Sequence, residues 1–207
     1  LLIGPWYTLP DLFLVSGEAI LRNLQIGHDY CEEFGGGMPV GYIPDPFGHI
    51  AQMPQILRGF GLDTYIFMRG LGREEKERLG GIFDWAAPDG STVTAIYQPK
   101  GYFPAAALGH PNIFGRFDGH APEIDRAAEQ VRDAIASMAP LQEERTLLLS
   151  NGFDHMPPQP ELPTLLDDLN DRMDEIDLTH GTLPDFVDAL TEELDGKELE
   201  TYEGDLI

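Results

Sequence analysis

At 207 residues, with 36 acidic against 13 basic side chains and a formal net charge of −23, the chain can bury a sizeable core while its surface repels nucleic acid and anionic membranes. No apolar run approaches the ~20 residues of a membrane span, and the single cysteine, Cys31, excludes an internal disulfide and suits a reducing cytoplasm. The acidic residues are spread through the chain and only Lys76, Lys100 and Lys197 are lysines, a balance resembling that of proteins from salt-loving microbes.

The chain opens on Leu1-Leu2-Ile3 instead of a methionine and reads as an excerpt of a longer protein. After the loop Gly4 to Asp11, Ser16 is placed to cap a helix over residues 17–34. Its apolar stripe is Ile20, Leu24, Cys31 and Phe34, which makes Cys31 a buried thiol, and Gly35-Gly36-Gly37 ends the helix. A strand over 40–44 then delivers Asp45 between Pro44 and Pro46. Both prolines fix φ, and Pro46 drives Asp45 into an extended conformation, so the carboxylate has little backbone freedom. Taken alone, Asp45 is either a turn residue or a group held to face a substrate. A helix over 49–59 follows, then Thr64-Tyr65-Ile66-Phe67-Met68, apolar on both faces and so a buried parallel strand, with Arg69 at its end.

Alternating segments over 82–87 and 92–97, joined by Pro88-Asp89-Gly90, predict a β-hairpin. The stretch from Pro99 to Ala121 is irregular, and a loop of that length usually belongs to function or disorder. A helix over 122–138 precedes a predicted strand at 146–149 that feeds the Asn151-Gly152 turn and Asp154. A helix carrying Leu162, Leu165, Leu166, Leu169 and Met173, a short strand at 176–179 and a final helix capped by Thr182 complete the chain.

Strands alternating with helices predict one domain over 1–207, an α/β fold with a mainly parallel sheet and an inserted hairpin. In such a fold the strand C-termini share one edge, where ligands bind. Asp45, Arg69 and Asp154 each follow a predicted strand and are therefore expected on one rim. Two carboxylates flanking a scissile bond are the minimum apparatus of glycoside hydrolysis. The apolar neighbours Phe153, Met156, Pro157 and Pro158 give Asp154 a setting suited to a proton donor.

Three segments carry a resemblance: Gly4-Pro5-Trp6-Tyr7-Thr8-Leu9-Pro10-Asp11 with Ser16-Gly17-Glu18, Gly41-Tyr42-Ile43-Pro44-Asp45-Pro46-Phe47-Gly48-His49, and Asn151-Gly152-Phe153-Asp154-His155. Together they resemble the glycoside hydrolase family 38 α-mannosidases, most of all the prokaryotic branch that includes mannosylglycerate-type hydrolases. The resemblance implies an incomplete (β/α)7-type catalytic domain, sheet or barrel, that lacks its first strand or two and its downstream domains. It also implies a zinc-dependent retaining enzyme acting on terminal α-mannosides. On that resemblance Asp45 is the nucleophile and a zinc ligand, and Asp154 is the general acid/base. Arg69 matches an arginine lying against the nucleophile, and Phe47 an aromatic of the sugar pocket. The remaining zinc ligands are expected outside this segment. Where the family has an acidic residue after Asp11, this chain has Leu12.

Trp6 and Tyr102 are candidate sugar-stacking rings, with Trp85 and Tyr7 as weaker ones, and His155 is a candidate sugar contact. His49 reads as a support for the turn. Two other readings stay open. A metal-dependent carbohydrate deacetylase would recruit Asp45 and His49 but leaves Asp154 and Arg69 unexplained, and a truncated carbohydrate-binding fragment would be catalytically silent. A homo-oligomer of the longer protein is compatible with the sequence.

Self-repulsion from so large a net charge opposes compaction until salt screens it, and the Debye length falls from ~10 Å at 0.1 M to ~3 Å at 1 M. The melting temperature should therefore climb steeply between low and molar salt. A curve flat across that range would remove the halophilic reading.

Overall fold

The computed structural model describes residues 2–117 and 119–207, without the side chain of Arg116; Leu1, placed by the sequence at the head of the first apolar run, lies outside them. Two compact units form. The first comprises Leu1–Pro99, Glu144–Thr146 and Thr182–Ile207, and the second Lys100–Glu143 and Leu147–Gly181.

The first unit holds a five-stranded sheet of β1 (Gly41–Tyr42), β2 (Thr64–Phe67), β3 (Ile82–Ala86), β4 (Thr92–Tyr97) and β5 (Thr201–Glu203), in the order β1-β2-β4-β3-β5. The pairs β1–β2, β2–β4 and β3–β5 are parallel and the β3–β4 hairpin is antiparallel. The sheet is thus mostly parallel, as the alternation predicts. With β1 and β5 at its edges, the described strands do not close a barrel. The hairpin is built into the sheet, since β4 pairs with β2 through Thr64↔Thr94 to Phe67↔Tyr97.

One face of this sheet is aromatic. Alternation points Tyr65, Phe67, Phe83, Trp85 and Tyr97 the same way, and Ala95, opposite both Tyr65 and Phe83, leaves room for the rings between them. Tyr65 and Phe67 are stacked with centroids 5.7 Å apart, and Trp85 lies 5.4 Å from Tyr65. His49 is driven onto this face. It is fully buried, edge-on to both Tyr65 and Phe67, and its Nδ1 shares a 2.7 Å hydrogen bond with the Tyr65 hydroxyl. Burial holds its pKa down at about 4, opposed by a smaller contribution from the Arg69 main chain.

Helix α1 (Gly17–Glu32) is capped by Ser16, whose Oγ accepts from Ala19 N at 3.2 Å. Its buried residues Ile20, Leu24, Gly27 and Cys31 keep the predicted stripe. Phe34, assigned to that stripe by spacing, is 61% exposed, because the helix ends at Glu32 and the chain turns away through Gly35 and Gly36 at positive φ. Burial, with help from Glu32, pushes the Cys31 thiol pKa up, as an unreactive thiol requires. At Gly27 the loop Pro5–Tyr7 comes so close that a Cβ would collide with the Pro5 carbonyl oxygen. Asn23 fastens the same loop, accepting from Tyr7 N and Thr8 N at 2.9 and 3.0 Å and donating to Thr8 O at 2.6 Å.

Helices α2 (Met53–Gly59) and α3 (Arg73–Leu79) follow β1 and β2, and α3 has no counterpart in the sequence expectations. The second unit is built on α4 (Ile124–Met138) and α5 (Leu162–Asn170), whose Ala127, Ala128 and Val131 pack with Leu162, Leu165, Leu169 and Met173. Helix α6 (Leu183–Leu194), back in the first unit, begins with a capping box between Thr182 and Asp185.

Two predicted strands do not form. At 146–149 the opening N–H groups go elsewhere: Arg145 N and Thr146 N donate to the Glu193 carboxylate of α6 at 2.8 and 3.0 Å. At 176–179 the Asn170 amide takes the place of a neighbouring strand, donating to Leu178 O at 2.9 Å and accepting from Leu178 N at 2.8 Å.

Two outcomes test this packing. In an open helix position Gly→Ala stabilises by up to ~1 kcal/mol, but Gly27→Ala should destabilise by about 1–3 kcal/mol or more through overpacking against the Pro5 carbonyl. A gain in stability on denaturant titration would mean the loop is not seated on α1. For His49 the folded pKa lies below the ordinary 6.5, so the unfolded chain takes up the proton first; stability is fully present above pH 6.5 and declines as the pH falls toward about 4. Between pH 7 and 4 the wild type should lose about 3 kcal/mol more than His49→Asn. Parallel stability curves for the two proteins would show that His49 is not held neutral.

Candidate functional site

Parallel pairing sends the chain off β1 and β2 at the same edge. Ile43 N adds one more rung by donating to Ile66 O at 3.0 Å, and the next residues on each side are the Pro44-Asp45-Pro46 turn and Met68-Arg69. There the two predicted residues meet. Arg69 Nε and Nη2 donate to Asp45 Oδ1 at 3.0 and 2.6 Å, and Nε also reaches the Asp45 main-chain oxygen at 3.0 Å. The guanidinium carbon lies 4.9 Å from the centroid of the Phe47 ring, which is 74% exposed. Asp45, Phe47 and Arg69 therefore form one group, with the charge of the carboxylate fixed in direction by its partner and one ring face beside it.

A third element supports this group and was missed by the sequence reading. Asp11 Oδ1 accepts from Phe47 N at 3.3 Å, and Phe13 stands against Gly48, where a Cβ would be 2.8 Å from its Cε2. Leu12, the departure from the family pattern, is buried as a core residue. The stretch from 195 to 207 also received no reading. It supplies β5 and then Leu206, which exchanges main-chain hydrogen bonds with His49 at 2.7 and 2.9 Å. The available signal was Gly204, whose φ of 122° marks a turn between two short extended pieces.

The second unit carries Asp154. It follows no strand, contrary to expectation; residues 154 and 155 form a turn, and His155 sits at φ 58°, an uncommon conformation for a residue with a side chain. The Asp154 carboxylate is exposed, so its apolar sequence neighbours do not enclose it. The Tyr102 hydroxyl donates to Asp154 Oδ1 at 2.8 Å. Tyr102, expected to stack on sugar, is thus first a hydrogen-bond partner of the carboxylate. Phe103 stands edge-on to both Tyr102 and Phe153.

The framework under Asp154 is a set of amides. Gln159 is buried; its Oε1 accepts from Leu108 N at 3.0 Å and its Nε2 donates to Leu108 O at 2.8 Å. Asn151 Nδ2 donates to Ala105 O at 2.6 Å and to Gln159 Oε1 at 3.2 Å. Gln130 of α4 holds the far side, accepting from Gly109 N at 2.7 Å and donating to His110 O at 3.0 Å. An open depression beside Asp154 is lined by Ala106, Ala107, Ile113, Phe153 and Met156.

The remaining candidates separate cleanly. Trp6 is 7% exposed, and its Nε1 has no hydrogen-bond partner among the described residues, so it packs in the first unit without offering a free ring face; the exposed ring beside it is Tyr7. Trp85 is buried and donates to Gly204 O at 3.0 Å. His49, which a deacetylase would need as a ligand or base, is sealed in the aromatic face. A zinc site needs about three protein ligands, and among the described residues no group of three or more His, Cys, Asp or Glu is arranged to hold a metal ion. Among the described residues no helix is long and apolar enough to cross a membrane.

Comparison with known proteins agrees with this architecture. The chain is 32% identical over 216 residues to a protein of Halalkalibacterium halodurans named "Putative mannosylglycerate hydrolase", covering 100% of this chain and 23% of that protein. It is 32% identical over 97 residues to alpha-mannosidase G of Dictyostelium discoideum, covering 46% and 9% of the two chains. The crystal structure of an alpha-mannosidase from Enterococcus faecalis superposes with a TM-score of 0.86 at 26% identity, over 99% of this chain and 22% of that one. The chain thus spans under a quarter of the length of these relatives. The profile of the glycosyl hydrolases family 38 N-terminal domain matches residues 1–205, and the chain belongs to that family.

Proposed function

We propose that this chain is part of a single catalytic domain of a retaining α-mannosidase, in which Asp45 is the nucleophile and Asp154 the general acid/base. The observation that carries the reading is the Asp45–Arg69 pair at the ends of adjacent parallel strands, within a family 38 N-terminal domain. Arg69 occupies Oδ1 through two donors, which leaves Oδ2 as the oxygen free to attack. In the first step the Asp45 oxygen bonds to the anomeric carbon as the glycosidic bond breaks, and Asp154 gives its proton to the leaving oxygen. In the second step Asp154 takes a proton from water, whose oxygen displaces Asp45 and restores the carboxylate. Phe47 and His155 would border the sugar, and the Tyr102 hydroxyl would orient the Asp154 carboxyl.

The substrate class proposed is a terminal α-mannoside, supported by the names of the relatives. Zinc is proposed only for the longer protein, with Asp45 as one ligand and the others from beyond this segment; no step above is routed through it. A cytoplasmic, salt-adapted enzyme is the setting that the composition supports.

The two carboxylates should fail differently in the enzyme that carries this chain. Asp45→Ala should abolish turnover on every mannoside. Asp154→Ala should lose about 10²- to 10⁴-fold in kcat/KM on alkyl mannosides yet keep most of its kcat/KM on nitrophenyl mannosides, whose leaving group needs little protonation, while kcat falls on both because the second step loses its base. Equal losses of kcat/KM on the two substrate kinds would remove Asp154 from the acid role, and a β-mannose first product seen by NMR would exclude retention.

A further inference from the structure

The segment that follows β5 touches both arms of the Asp45–Arg69 pair. Leu206 is fully buried, and its carbonyl oxygen lies where Gly48 and Gly70 would place a Cβ, at 3.0 and 2.8 Å. Gly48 is three residues beyond Asp45 and Gly70 is next to Arg69; both have positive φ, 118° and 92°. A side chain at either position would be strained by conformation and would push Leu206 away. The first arm is also bonded. His49 N donates to Leu206 O at 2.7 Å, Leu206 N donates to His49 O at 2.9 Å, and Ala51 N donates to the Asp205 carboxylate at 2.7 Å. Behind the segment, Trp85 Nε1 holds Gly204 O at 3.0 Å and the Tyr202 hydroxyl holds Asp205 O at 2.7 Å. Three consecutive residues, anchored on the sheet, therefore fix the loop of the carboxylate and pack against the loop of the guanidinium.

We propose that Gly204-Asp205-Leu206 is a clamp that sets the position of Asp45 relative to Arg69, and that Asp205 is a positioning residue for the reaction. This rests on the reading of Asp45 as the nucleophile. Asp205 acts at a distance, through the Ala51 N–H and the main chain of residues 45–51, and contributes nothing to the chemistry itself. The pair is partly exposed, and an exposed ion pair is worth only ~0–1 kcal/mol, too little to hold two loops unaided. Misplacement by an ångström can cost ~10²-fold in rate, so a clamp of backbone contacts has a kinetic consequence larger than its effect on stability.

The test uses the enzyme that carries this chain. Asp205→Ala should lower kcat on a nitrophenyl α-mannoside by about 10- to 100-fold, with KM changed less than about threefold. Asp205→Asn keeps an oxygen that can accept from Ala51 N and should restore kcat to within about threefold of wild type. An unchanged kcat in Asp205→Ala, an equal loss in Asp205→Asn, or a loss that only follows the folded fraction by near-ultraviolet circular dichroism would overturn the clamp. Tyr202→Phe removes one hydroxyl and leaves the ring. If Asp205→Ala does not fold, a kcat loss of about threefold at constant KM in Tyr202→Phe upholds the proposal, and an unchanged kcat overturns it. Asp45→Ala separates the two readings: turnover by that variant removes the nucleophile assignment, whereas its inactivity beside a fully active Asp205→Ala removes the clamp alone.

Discussion

The parallel pairing of Gly41–Tyr42 with Tyr65–Ile66 is the constraint on which the Asp45 group depends. An antiparallel neighbour would deliver the two following loops to opposite edges; a parallel one delivers both to the same edge, however far apart they are in sequence. The approach is close because Gly41 has no side chain, since a Cβ there would lie 2.6 Å from Thr64 O. Asp45 and Arg69 meet because their strands do. The ion pair is the result of that geometry and not its cause, for at roughly half exposure its own contribution to stability is ~0–1 kcal/mol.

The second unit solves a different problem with a different device. Long irregular stretches leave many backbone groups without a ladder, and each one buried unpaired costs ~1–3 kcal/mol. Gln159, Gln130 and Asn170 each supply an acceptor and a donor on one planar group, so each imitates the edge of a neighbouring strand. Asn23 does the same for the loop of Trp6 in the first unit. This substitution explains why loops as irregular as 100–123 can carry a fixed carboxylate partner such as Tyr102.

Legibility in the sequence followed the range of the signal. Ser16, Thr182 and the Asp89-Gly90 turn act over a few residues, and each gave its cap or hairpin at the expected place. The double-sided apolar run at 64–67 likewise reported a buried parallel strand. Asp45 and Arg69 could be placed together from strand polarity alone. The strands assigned at 146–149 and 176–179 failed because their apolar character was read as sheet, while Glu193, far along the chain, and Asn170, eight residues before Leu178, had already taken the backbone groups. Trp6 was misjudged for a related reason: a ring in a loop looks available until the glycine that receives the loop, Gly27, is found twenty-one residues away. The role of Asp205 has no local signature at all, since its partner Ala51 is 154 residues distant.

The amide framework also gives the protein a chemical lifetime. Asn151 is followed by Gly152, the neighbour that least obstructs attack of the next main-chain nitrogen on the side-chain carbonyl, the first step in hydrolysing an asparagine amide. The nitrogen lost in that reaction is the one that donates to Ala105 O and to Gln159 Oε1. An oxygen in its place would confront two acceptors with a third and add a negative charge to a chain already strongly acidic. Ageing at this one position would thus undo the tie from Asn151 to the Ala105 carbonyl and leave the loop on the bonds that Gln159 and Gln130 make to Leu108, Gly109 and His110.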